Sequence, residues 1–73
     1  MIEKIITTVS ETLGVPVTKE TSQFNCEQWD SLRHLNIVIA IEDAFDVSFE
    51  PEEFAQMKSI QDIEKFLVGK KNQ

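Results

Sequence analysis

The chain has 73 residues, 41% of them hydrophobic, and a formal net charge of −6 at pH 7. This length suffices for one small domain but not for a cleft between two layers of secondary structure. The negative charge argues against binding to nucleic acid or to anionic membrane surfaces. A single cysteine, Cys26, and a single histidine, His34, exclude an intrachain disulfide and a zinc cluster. No run of residues resembles a signal peptide or reaches membrane-spanning length, so we expect a monomeric cytoplasmic domain.

The first predicted helix covers residues 2–13, where apolar side chains recur at helical spacing. Gly14 suits the left-handed position after a helix, and Pro16 prevents its continuation. Residues 14–29 show no sustained period and predict a long loop, which in a small domain has to be tied to the core or be functional. We expect Trp29 to anchor this loop on the core and Cys26 to be a partly buried filler. The other expected anchors are Val15, Val17 and Phe24.

Asp30 is a favourable N-cap residue, so a second helix is predicted from Ser31 to Phe45. Its middle is apolar nearly all round, which exceeds the need of one core-facing stripe. The spacing separates a predicted core face from a second strip formed by Leu35 and Ile39. It leaves open whether this strip joins the core or docks a partner. The predicted core face consists of Ile37, Val38, Ile41 and Phe45.

Two further helices are predicted after a break in the pattern. Pro51 and the acids after it are typical of a helix start, which predicts a short third helix over residues 51–56. Ser59 and Asp62 resemble a capping box for a fourth helix, which we expect Gly69 to end. The predicted fold is therefore all-α: a four-helix bundle with three longer helices, a short third helix and a long loop between the first two. Residues 1–68 would form the core and 69–73 a tail.

Ser31 is the strongest candidate for chemistry. In the first turn of a helix its hydroxyl would lie beside free backbone N–H groups, which together with the helix dipole favour negative charge. We interpret it as the covalent attachment point of a phosphate-linked group. A hydrolase using Ser31 and His34 is disfavoured, because the chain offers no oriented base, oxyanion donors or water-excluding pocket. An unmodified adaptor that binds through the Leu35–Ile39 strip is an alternative.

Acidic residues accumulate at the end of the second helix and around the third. Between His34 and Met57 the chain has no Lys or Arg. Such a run is either a solvated face or a surface that steers a basic partner. The residues concerned are Glu42, Asp43, Asp46, Glu50, Glu52 and Glu53.

Asp30-Ser31-Leu32, at the start of an apolar helix, resembles the signature of acyl carrier proteins. The resemblance extends in order over nearly the whole chain: a first helix, a long loop with a buried Phe, and the second helix with residues 42–47 near its end. It continues through a Pro-Glu-Glu short helix and a last helix opened by residues 59–62. The similarity implies the acyl-carrier fold, of the discrete, stand-alone type.

This resemblance implies that a separate magnesium-dependent phosphopantetheinyl transferase attaches 4′-phosphopantetheine from coenzyme A to Ser31. The carrier itself would not be an enzyme, and it would hold no metal. It would carry acyl groups as thioesters between loading and transfer enzymes. Asp30 and Leu32 would flank the attachment site, with Asp30 both capping the helix and being recognised by the transferase.

The chain also departs from the family pattern. Gln28-Trp29 replaces a frequent Gly before the motif, and Arg33, His34 and Asn36 stand where the family often has acids. A Trp at this point resembles carriers of specialised pathways, such as polyketide-like, peptide-like or glycan assembly, and leaves open an acyl or an aminoacyl cargo. We expect the five Phe residues to fill the interior and to leave little room for a long acyl chain. The predicted partner-binding residues are Arg33, Leu35, Asn36, Ile39, Glu42, Asp43, Glu52 and Glu53.

Overall fold

The computed structural model describes residues 1–71, which form four helices and no strand. Helix α1 spans Ile2–Leu13, α2 spans Ser31–Phe45, α3 spans Pro51–Phe54 and α4 spans Ile60–Lys71. The predicted all-α bundle is confirmed, as are the limits of α1 and α2. Helix α3 ends two residues earlier than predicted. In the described part of the chain, no helix has both the length and the apolar character needed to cross a membrane.

The core lies between α1, α2 and α4, and the buried side chains are all apolar within residues 1–71. The predicted core face of α2 is confirmed, since Ile37, Val38, Ile41 and Phe45 are buried. Helix α1 contributes Ile5, Val9 and Leu13, and α4 contributes Ile60, Ile63 and Leu67. Burial of one such large side chain is typically worth about 1.5–3 kcal/mol, so these three rows hold the bundle together. The remaining buried residues are Val17, Trp29, Phe49 and Met57.

Each of the first two helices is followed by a residue in the left-handed conformation. Gly14 has φ 76°, as predicted for the residue after α1, and its N–H donates to the Ser10 carbonyl. Asp46 has φ 55° and its N–H donates to the Glu42 carbonyl at the end of α2. Aspartate tolerates this conformation better than most residues with a side chain, which explains why α2 can stop without a glycine.

The long loop is tied to the chain segment before α4. Ser22 and Ser59 form an isolated antiparallel bridge. The Gln23 N–H donates to the Lys58 carbonyl (2.9 Å), and the Ile60 N–H donates to the Thr21 carbonyl (3.0 Å). These bonds fix the middle of the loop, and two side chains hold its end.

Trp29 and Cys26 occupy the places predicted for them. The Trp29 side chain is buried, with 2% of its surface exposed. Cys26 is half-buried and packs against the core. The loop therefore reaches Ser31 from a fixed anchor.

The prediction that Phe24 is buried is wrong: its side chain is 76% exposed. Phe24 lies in a tight turn in which the Ser22 N–H donates to Asn25 Oδ1 (2.9 Å) and the Phe24 N–H donates to Ser22 Oγ (3.2 Å). Bonds between side chains and backbone of this kind fix a turn locally. The turn presents Phe24 outward, and Val17 and Trp29 supply the buried apolar contacts instead.

The prediction that Gly69 ends the last helix is also wrong, because α4 continues to Lys71. Glycine inside a helix costs only about 1 kcal/mol relative to alanine. Tertiary contacts of Lys70 offset that cost: its ammonium lies 3.0 Å from a Glu53 carboxylate oxygen and 5.7 Å from the centre of the Phe49 ring. The predicted tail is thus helical through Lys71, and residues 72 and 73 lie outside the described residues.

Candidate functional site

Ser31 is the first residue of α2, and its side chain is exposed. The preceding Asp30 is extended, and its Oδ1 accepts a hydrogen bond from the Arg33 N–H (2.8 Å), so the predicted N-cap is confirmed. The N–H groups of the first helical turn have no partner within the helix itself. Together with the helix dipole they favour an anion beside the Ser31 hydroxyl.

Arg33 modifies the charge beside Ser31. Its guanidinium lies 3.3 Å from Asp30 Oδ2, and about half of each side chain is exposed. The same group donates to the Gln28 carbonyl at 3.4 Å. An exposed pair of this kind contributes about 0–1 kcal/mol to stability. Its main effect here is to offset the negative charge of Asp30 next to the candidate attachment point.

His34 connects three segments and has no free ring nitrogen. Trp29 Nε1–H donates to His34 Nδ1 (2.9 Å), and His34 Nε2 lies 2.6 Å from the Phe54 carbonyl oxygen. Its ring is therefore unavailable as a general base for Ser31, which argues against the hydrolase. Sequence reasoning missed this link. The available signal was that a buried Trp needs a hydrogen-bond acceptor for its N–H.

The sequence left open whether the second strip of α2 joins the core, and the exposed fractions of its side chains decide this point. Leu35 is 45% exposed and Ile39 is 53% exposed, so neither belongs to the core. Leu32, which was expected to flank the attachment site, is 74% exposed. These three residues, spaced i, i+3 and i+7, form an apolar face that we call the α2 strip. Arg33 and Asn36 are exposed on the same helix.

The four acidic residues of the predicted partner-binding set fall into two groups. Glu42 is half-buried and its carboxylate accepts from the Phe49 N–H (2.8 Å), which closes the turn after α2. Glu53 accepts from the Glu50 N–H (2.8 Å) and pairs with Lys70. Two contacts lower the pKa of the Glu53 carboxyl below its ordinary value. The larger effect comes from the hydrogen bond of the Glu50 N–H, and the smaller one from the Lys70 ammonium. These two acids therefore serve the fold.

Asp43 and Glu52 form the second group. Both side chains are exposed, and neither takes part in an ion pair within residues 1–71. Their carboxylates are thus the members of the predicted acidic docking set that face solvent without an internal partner.

The Ser31 hydroxyl is placed where it can accept a covalent group. Two surface grooves along α4, of about 330 and 640 Å³, are lined by other residues and do not include Ser31. No group of His, Cys, Asp and Glu side chains in the described chain is arranged to hold a metal ion. A phosphodiester on Ser31 fits these surroundings, because the hydroxyl is exposed, the helix start favours anions and Arg33 pairs with the nearest carboxylate.

Comparisons with known proteins match most of the chain. The family model described as "Phosphopantetheine attachment site" matches residues 3–67. The chain is 34% identical over 73 residues to a protein named "Acyl carrier protein" from Guillardia theta, and the match covers 96% of this chain and 90% of that relative. Ser31 and the α2 strip lie inside the matched range.

Proposed function

The chain belongs to the acyl carrier protein family, and from this we propose that Ser31 carries a 4′-phosphopantetheine arm. Members of the family are non-catalytic carriers, and the matching domain is one to which phosphopantetheine is attached. When bound, the arm supplies a terminal thiol that holds an acyl group as a thioester. The observation that carries the proposal is the exposed Ser31 hydroxyl at the start of α2, within Asp30-Ser31-Leu32.

The attachment step needs only an accessible hydroxyl from this chain. The Ser31 Oγ–phosphorus bond forms while the bond from phosphorus to the adenosine bisphosphate part of coenzyme A breaks. A magnesium-dependent transferase supplies the metal and the base that takes the serine proton. This division of work agrees with a His34 ring that is bonded elsewhere. Once attached, the phosphodiester gains about 0.3–1 kcal/mol from the helix dipole.

We propose that the transferase and the acyl-handling enzymes dock on the α2 strip. Leu32, Leu35 and Ile39 supply apolar contact area beside the attachment site. Arg33 and Asn36 give the surface next to Ser31 a neutral to positive character, while Asp43 and Glu52 place negative charge further away. The complementary partner has an apolar centre and keeps its basic residues away from the serine. Glu42 and Glu53 support this face through their internal bonds.

The proposed setting is a specialised biosynthetic pathway in the cytoplasm. The support is Gln28-Trp29 before the motif and Arg33 and Asn36 after it, at positions where the family often has Gly and acids. Enzymes that dock through basic patches on those acids would find an unsuitable surface here. The cargo is an acyl group or, as the second possibility, an aminoacyl group.

The test is modification of the purified protein by coenzyme A, magnesium and a broad-specificity transferase, followed by intact mass. We expect a gain of one phosphopantetheine group in the wild type and none in Ser31→Ala. Ser59→Ala, a serine at the start of α4, is the matched control and should be modified like the wild type. A gain by Ser31→Ala would contradict the proposal, as would no gain in the wild type with a transferase that loads another carrier.

A second candidate function, an unmodified helical adaptor, is favoured by one observation, the exposed α2 strip. An adaptor would bind its partner equally well as wild type and as Ser31→Ala, and would lose binding in Ile39→Glu. A carrier would lose cargo transfer in both variants. Binding and transfer measured on the same two variants therefore separate the functions.

A further inference from the structure

Three segments of the fold meet at the His34 ring. Trp29, at the end of the long loop, donates its indole N–H to His34 Nδ1 at 2.9 Å. The two rings lie nearly parallel, with 25° between their planes and 6.2 Å between their centres. On the other side, His34 Nε2 lies 2.6 Å from the carbonyl oxygen of Phe54, the last residue of α3. His34 is the fourth residue of α2, about one turn after Ser31.

Both partners dictate the proton arrangement on the ring. An indole N–H can only donate, so His34 Nδ1 has to be an unprotonated acceptor. A backbone carbonyl can only accept, so His34 Nε2 has to carry the proton. The link therefore requires a neutral imidazole in a single tautomer. A proton added to Nδ1 would set two donors against each other and break the bond to Trp29.

Within the described residues, the His34 ring bonds to two neutral groups, the Trp29 indole and the Phe54 carbonyl, and to no charged side chain. In the described residues, no ion pair includes His34. On α2, Arg33 and Asp30 pair with each other, and on α3, Glu53 pairs with Lys70. The other charged side chains of the three segments are Lys19, Glu20 and Glu27 on the loop, Glu42 and Asp43 on α2, and Glu52 on α3; all are exposed except Glu42, which is half-buried.

We infer that His34 is a positioning residue that holds the loop end and the end of α3 against the first turn of α2, and that its protonation releases the loop end while the bond to the Phe54 carbonyl persists. Phe54 lies 20 residues away from His34 in the chain, so this bond places α3 relative to the Ser31 end of α2. The link would then also fix how Ser31 is presented to the enzymes that act on it. This consequence for Ser31 rests on the proposed attachment, whereas the link itself does not.

The chain is suited to a direct test, because it has one tryptophan and one histidine. In ¹⁵N NMR at pH 8 we expect the Nε2–H tautomer of His34 and a Trp29 indole proton that exchanges slowly with water. On lowering the pH to 5, the His34 ring, the Trp29 indole and the Phe54 and Ala55 amides should shift with one common midpoint. An Nδ1–H tautomer, or a histidine titration that leaves the Trp29 indole unmoved, would overturn the inference.

Two substitutions separate the hydrogen bonds from the ring contact. His34→Gln keeps an acceptor and a donor but cannot titrate, so it should retain slow indole exchange and lose the pH dependence. His34→Phe keeps the ring but neither bond, so the Phe54 amide should exchange about 2- to 10-fold faster at pH 8. If the Phe54 amide exchanged equally fast in the two variants, a positioning role for His34 would be contradicted. If the Phe variant fails to fold, the wild-type titration and His34→Gln still decide the matter.

A functional measurement completes the test on the apo protein. For modification by a transferase at pH 8, His34→Phe should raise KM by about the same 2- to 10-fold with kcat unchanged, and His34→Gln should match the wild type. Failure of all proteins to be modified would contradict the attachment proposal and leave the NMR result standing. Normal modification of His34→Phe with wild-type KM would contradict the consequence drawn for Ser31.

Discussion

At the scale of single residues, Asp30 has a structural task that can be separated from recognition by a transferase. Its carboxylate both caps α2 through the Arg33 N–H and pairs with the Arg33 guanidinium. The cap needs a side-chain oxygen, whereas the ion pair needs the charge. Asparagine caps helices as well as aspartate does, which makes the two contributions distinguishable.

We predict that Asp30→Ala lowers the free energy of unfolding by about 1 kcal/mol, because the cap is lost. Asp30→Asn should lose only the exposed ion pair, worth a few tenths of a kcal/mol. Urea unfolding followed by circular dichroism measures both. Equal losses in the two variants would mean that the charge, and not the cap, stabilises the start of α2.

Glu53 makes the free energy of unfolding depend on pH in the acidic range. The Glu50 N–H and the Lys70 ammonium lower its pKa in the folded state. A carboxyl group whose pKa is lower in the folded than in the unfolded state stabilises the folded protein at pH values above the unfolded pKa. This stabilisation is lost as the pH falls through the folded pKa. Glu53→Gln should therefore be less stable than the wild type at pH 7, and the difference should shrink as the pH falls below 4.5.

The matched control for this prediction is Glu52→Gln, which changes an exposed neighbour without an ion pair. Its difference from the wild type should be small and should vary less with pH. Thermal unfolding at pH 7 and at acid pH compares the two variants. A Glu53→Gln difference that stays constant or grows with acidification would contradict the assigned bonds.

At the scale of elements, the helix limits follow from local signals while the exceptions come from tertiary contacts. Asp30, Gly14 and Pro51 mark helix ends in the sequence, and the structure confirms all three. Gly69 fails as a stop because Lys70 is held by Glu53, a contact 17 residues away that no local pattern contains.

The candidate site was predictable to a similar degree. The position of Ser31 at a capped helix start follows from Asp30 and from the apolar run after it. Exposure of Leu35 and Ile39 could not be derived, because their spacing suits a core and a docking face equally well. The His34 link was hidden for another reason: Phe54, its carbonyl partner, takes part through the backbone, which has no sequence signature.

The end of α2 gives a prediction about backbone conformation. A side chain at the left-handed φ of Asp46 costs about 1 kcal/mol, and glycine avoids this cost. Asp46→Gly should thus be about 1 kcal/mol more stable than Asp46→Ala. At Asp43, inside α2, the order should reverse, since alanine is the better helix former. The same order at both positions, measured by urea unfolding, would contradict the helix end at Phe45.

At the scale of the whole molecule, the question is where a carried acyl chain lies. The interior is filled by apolar side chains, with Phe45 and Phe49 buried and with Phe54 and Phe66 partly buried against the core. Phe24 is exposed and does not contribute, which corrects the expectation that all five Phe residues fill the core. Interiors packed in this way accept extra volume only at a cost of about 1–3 kcal/mol.

We therefore predict that a long acyl chain is poorly sequestered between the helices. Amide chemical shifts of the protein loaded with short and with long acyl groups should change near Ser31 and the α2 strip, and little in the core. Core shifts that spread and grow with chain length would show that the bundle opens for its cargo and would refute this prediction.

The proposed carrier function depends on modification of Ser31, which is measured most directly by peptide mapping of the protein isolated from its own cells. Trypsin should release residues 20–33 as one peptide, which contains two serines, Ser22 and Ser31. We predict a phosphopantetheine group on this peptide, which fragmentation assigns to Ser31. A peptide that is unmodified throughout growth, or a group assigned to Ser22 or to a serine elsewhere in the chain, would contradict the account.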